Sequence, residues 1–116
     1  MKTILSTILM ALLLCGGNAL ASDMACPDPM EPTIESLHHC VMHAAQEGHI
    51  DNAGIARSLE VRLLVAMAAE ERGKIKVSAM LLRAFIHEVR AQAGKHVNAE
   101  HAEHMIHHAE MVLEAL

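Results

Sequence analysis

The sequence predicts an all-α protein, an up-down-up-down antiparallel four-helix bundle that follows a cleaved signal peptide. Three observations carry this expectation. Apolar residues recur at helical spacing in runs of about five turns. The runs stop three times at a glycine set among polar or basic residues: Gly48-His49-Ile50-Asp51-Asn52, Arg72-Gly73-Lys74 and Gly94-Lys95-His96-Val97-Asn98. Glycine tolerates the left-handed end of a helix, and Asn52 and Asn98 suit the N-cap of the next one. No segment alternates apolar and polar residues as a half-buried strand would.

Residues 1–21 read as a secretory signal. Lys2 supplies the charged start and Ile4–Leu14 the apolar run, and Ala19-Leu20-Ala21 is a small-x-small cleavage site. The run is too short to span a bilayer: about 11 residues reach roughly 17 Å, against an apolar core of about 30 Å. Lipidation at Cys15 is disfavoured because Leu14 is bulky where lipoprotein signals carry a small residue. The mature chain is therefore expected to start at Ser22, in the periplasm or the extracellular medium, without stable membrane insertion. Residues 22–32 form a Pro-rich arm and residues 33–116 the helical domain.

Helix 1 is expected from Thr33, a plausible cap after Pro32, to Glu47, with Ile34, Leu37, Val41, Ala44 and Ala45 inward. Helix 2 runs from about Ala53 to Arg72 on Ile55, Leu59, Leu63, Ala66 and Met67. Helix 3 runs from about Val77 to Ala93 on Met80, Leu81, Ala84, Phe85 and Val89. Helix 4 runs from about Ala99 to Leu116 on Ala102, Met105, Ile106, Ala109, Val112, Leu113 and Leu116. Short connections force neighbours antiparallel. About 95 mature residues suffice for one core. Phe85 is the only aromatic residue.

The segments Gly48-His-Ile-Asp-Asn-Ala-Gly-Ile-Ala56, Ser58-Leu59, Leu82-Arg-Ala-Phe-Ile86, Val89-Arg-Ala-Gln-Ala-Gly-Lys95 and Ala99-Glu100 resemble the FIMAH domain. The resemblance spans roughly residues 34–116. It implies a helical module of the kind appended to secreted bacterial hydrolases and surface proteins, and it implies no catalytic role. The chain departs from that pattern in its ten His and nine Met.

Removal of Cys15 with the signal leaves Cys26 and Cys40, and an even pair in an oxidising compartment points to one disulfide. It would tie the arm Cys26-Pro-Asp-Pro-Met-Glu-Pro32 onto helix 1. A closed loop of about 15 residues contributes about 3 kcal/mol in the chain-entropy model. The rival, a two-thiol metal site, has no familiar zinc spacing. Loss of Lys2 leaves eight Lys and Arg against fourteen acids, a net charge near −6. That balance argues against DNA, RNA and anionic lipid as partners. No Gly-rich phosphate loop, nucleophile elbow or HExxH is present, so an enzyme is not expected.

The histidines carry the sharpest chemical signal. His101, His104 and His108 share one stripe of helix 4, with Met111 at its edge, and His104 and His108 stand at i,i+4. His39 and His43 repeat that spacing on helix 1. Imidazole with thioether suits copper, and imidazole alone suits zinc, nickel or Cu(II). One ion cannot take both His101 and His108, about 10.5 Å apart along the axis. A solvated His-rich face with no ligand is the plainer alternative. Three readings stand: a non-catalytic binding module acting through protein–protein contact, as the resemblance implies; an extracytoplasmic metal-binding protein; and a self-associating structural bundle. Trp and Tyr are absent, which weakens carbohydrate stacking and leaves a protein partner as the expectation.

Overall fold

The computed structural model describes residues 31–116. The expected signal peptide, its expected cleavage site and Cys26 lie outside them. Four helices follow in order: α1 Ile34–Gln46, α2 Ala53–Glu71, α3 Ile75–Gln92 and α4 Ala99–Ala115. Each packs on its sequence neighbour, and α1 closes the ring by packing on α4. The fold is the expected antiparallel four-helix bundle.

Three side chains start the helices. Thr33 Oγ1 accepts from Ser36 N at 3.1 Å, and Asn52 Oδ1 accepts from Ile55 N at 3.0 Å. Asn98 Oδ1 accepts from both Glu100 N at 3.0 Å and His101 N at 3.2 Å. Each pairs backbone N–H groups that a helix start leaves without partners. Only α3 lacks a side-chain cap.

The three glycine stops are not alike. At Gly48 (φ +82°), Gly48 N bonds Ala45 O and His49 N bonds Ala44 O, the paired bonds of a Schellman end. The Gly73 stop repeats this with Ala69 and Glu70 as acceptors. The third differs: α3 ends at Gln92, Ala93 is extended, and Gly94 (φ +77°) donates forward to Val97 O. The first and third loops pair with each other there. Asp51 N donates to His96 O and Asn98 N to His49 O. Ile50 and Val97 meet across this junction and plug one end of the core.

Leu37, Val41, Leu59, Leu63, Leu82, Phe85, Val89, Ala109 and Val112 form a continuous buried core. Helices 1, 2 and 4 turn inward the faces their spacing predicts. In α3 the inward stripe is Ser78, Leu82, Phe85, Ile86 and Val89. Met80, expected inside, is 62% exposed, because Leu82 faces the core and a residue two positions away points nearly the opposite way. Ser78 is fully buried and donates to Ala66 O at 3.0 Å across the α2–α3 seam. Glu88 closes the same seam, accepting from Ser58 Oγ at 2.9 Å and from Arg62 Nε at 3.3 Å.

Candidate functional site

Two features stand apart from the core: a histidine cluster at the end where the first and third loops pair, and an apolar stripe on the outside of α2 and α3.

The cluster is built from the loop junction. The Asn98 cap sets the first turn of α4, where His101 Nδ1–H donates to Asn98 Oδ1 at 3.2 Å. The Schellman end of α1 delivers His49, whose ring stacks on His101 with centroids 3.6 Å apart and planes 16° from parallel. His43 and His104 lie close enough to bear on the same ring. The His101 pKa is held below its ordinary value first by burial and then by His49, with smaller contributions from His104 and His43 and an opposing pull from Glu100. At the same end His96 Nδ1 meets Asp51 Oδ1 at 2.9 Å. A recess of about 300 Å³ opens there, lined by His49, Asp51, Lys95, His96 and Asn98. His43 of α1 and His101 and His104 of α4 thus share one end of the bundle. His49 and His96 join them from loops, where helical spacing points to no one.

The predicted ligand pair has a different fate. His104 is exposed, whereas His108 is 1% exposed and belongs to the core side of α4. Its Nε2–H donates to the backbone carbonyl of Glu31 at 2.6 Å, fastening the chain ahead of α1 onto α4. Nδ1 is buried with no hydrogen-bond partner among the described residues. His39 is exposed, Met111 is half-buried, and His43 Nε2 lies 3.8 Å from Glu47. Among the described residues no group of three or more His, Cys, Asp or Glu is placed to hold one ion. The His49–His101 stack does not chelate as it stands. Imidazole lone pairs lie in the ring plane, and two parallel planes aim them side by side rather than at one point. Cys40 is 7% exposed and is a disulfide cysteine. It is the only cysteine among the described residues, so the pairing with Cys26 falls outside them.

The apolar stripe sits on α2. Its inner face is Leu59, Leu63 and Ala66. Its outer face carries Val61, Leu64, Val65 and Ala68, all exposed and at i, i+3, i+4 and i+7. A helix apolar on both faces is one that buries both. Val65 is 48% exposed, and Ile75, Val77 and Met80 at the start of α3 are exposed as well. The Ser78–Ala66 and Ser58–Glu88 bonds set the register of the two helices. That register brings Ala68 level with Val77, and Val65 level with Met80. One band results, on the order of a few hundred Å².

Charge divides along the same line. Every Lys and Arg among the described residues except Lys95 lies between Arg57 and Arg90, on α2, α3 and their connection. Helices α1 and α4 hold none; their acids are Glu35, Glu100, Glu103, Glu110 and Glu114, with Glu47 at the C-cap of α1.

The model of the FIMAH domain family matches residues 34–114. No curated protein and no solved structure matches the chain.

Proposed function

This chain belongs to the FIMAH domain family, a helical module, and on that footing we propose that it is an exported, non-catalytic interaction module that binds a protein partner through the outer face of α2 and α3. One observation carries the reading: α2 presents a second apolar stripe, Val61, Leu64, Val65 and Ala68, exposed and uncovered among the described residues. Exposed apolar bands of this kind mark contact surfaces. Export rests on the signal-like residues 1–21, and an arm held through Cys26 and Cys40 suits an oxidising compartment. No cofactor is required by this reading.

A photo-crosslinking residue placed at Leu64 in the native host tests it. A discrete protein adduct is expected from Leu64 and none from His104, on the far side of the bundle. Identical adducts from both positions, or none from Leu64, would overturn the reading.

The grouping of His43, His49, His101 and His104 keeps copper, zinc or nickel binding as a second reading. It requires the His49–His101 stack to open, because parallel rings supply one donor each to separate ions. Calorimetry on mature protein tests it. Sub-micromolar affinity at one fixed stoichiometry supports a metal site, and weak binding of several ions counts against it.

A further inference from the structure

The stripe on α2 is bounded in a way that describes its partner. It runs Arg57, Val61, Leu64, Val65, Ala68, Arg72, with an exposed arginine at each end. The span is about 22 Å, or four turns. Arg62 and Arg90 are engaged by Glu88 and Glu110. Arg57, Arg72, Lys74, Lys76 and Arg83 make no ion pair among the described residues, and all five are exposed. The acids nearby are Asp51, which lines a recess with Arg57 but meets His96 at 2.9 Å, Glu60, which faces His38 at 3.9 Å, and Glu70 and Glu71 at the end of α2. The band is therefore apolar along its middle and cationic at its rim, on a chain whose overall charge is negative.

Resting on the interaction-module reading, we infer that this band receives an amphipathic helical segment of a partner protein, with aliphatic residues along one stripe and carboxylates at both ends. Complementarity of charge sets the ends and apolar burial supplies the middle. Two other occupants fit less well. A second copy applied face to face sets Arg57 and Arg72 against like charges, and the far side of the bundle offers exposed glutamates and histidines instead of an apolar stripe. An anionic membrane would meet the cations, but interfacial helices insert a face of Trp, Phe and Leu, and here Trp is absent, the single Phe is buried and Leu64 is the one exposed Leu of the band.

The experiment uses mature, oxidised protein and two synthetic helical peptides of about 16 residues with the same Leu stripe, one ending in Glu at both ends and one in Lys. Fluorescence anisotropy is read at about 50 mM and about 300 mM NaCl. The Glu peptide is expected to bind about tenfold tighter than the Lys peptide at low salt, with the gap closing at high salt. The double change Arg57→Glu and Arg72→Glu should reverse the preference while leaving the helical circular dichroism intact. Equal affinity for both peptides, lost in Leu64→Glu, would overturn the charge assignment and leave the broader contact reading standing. Binding to phosphatidylglycerol vesicles with neither peptide bound would overturn it in favour of a lipid surface. Concentration-dependent dimerisation abolished by Leu64→Glu would overturn it in favour of a second copy. The Leu64 crosslink judges the broader reading separately.

Discussion

Replacing Phe85 with Ala should remove a large share of the fold's stability. Phe85 is fully buried and is the largest side chain in the core. Deleting the ring forfeits about 2 kcal/mol of transfer free energy. It also empties on the order of 100 Å³, which at about 24 cal/mol per Å³ adds about 2 kcal/mol if the site does not collapse. Collapse is hindered where the core is alanine: Ala44, Ala66, Ala102 and Ala109 have no rotamer that reaches into a void. The combined loss, about 4 kcal/mol, compares with a total of about 5–10 kcal/mol for a domain of this size. At about 4–8 °C per kcal/mol the melting temperature should fall by at least about 15 °C. Urea unfolding followed by circular dichroism on oxidised protein measures this directly. A loss below about 1 kcal/mol with an unchanged m-value would refute the packing argument.

Three further outcomes are expected. Stability should rise with pH between about 5 and 7.5: the His101 pKa is depressed in the folded state, so the unfolded chain binds more protons as pH falls below about 6.5, and stability present above that value is lost on acidification. A urea midpoint that is flat or falls with pH over this range would contradict it, and His101→Gln should blunt the dependence. His108→Ala should cost about 2–4 kcal/mol by opening a cavity and leaving the Glu31 carbonyl without its donor, while His104→Ala should cost under about 0.5 kcal/mol; equal effects would show that burial does not separate them. Mature protein should show no free thiol on labelling without reductant, and peptide mapping should recover a Cys26–Cys40 link; labelling of Cys26 in the oxidised protein would point to another partner for Cys40.

By itself the sequence determined the number of helices, their approximate limits and their antiparallel order. Those properties are local: a glycine at +82° ends α1, an asparagine side chain starts α2, and apolar spacing marks the inner face of three helices out of four. What escaped depends on how helices rotate against one another. Ala79, Met80 and Leu81 span most of a turn, and only the α2–α3 packing decides that Leu82 faces inward and Met80 faces solvent. His108 sits beside His104 on the helical wheel, yet the chain ahead of α1 folds over one and leaves the other in water. His49 and His101 are 52 positions apart in the chain and meet because the first and third loops pair by backbone hydrogen bonds, which no side-chain pattern announces. The outer stripe of α2 was written in the sequence as plainly as the inner one. Periodicity gives the angle between two apolar faces but not which neighbour covers each, and only the bundle's closure by α1 and α4 leaves Val61, Leu64 and Val65 uncovered.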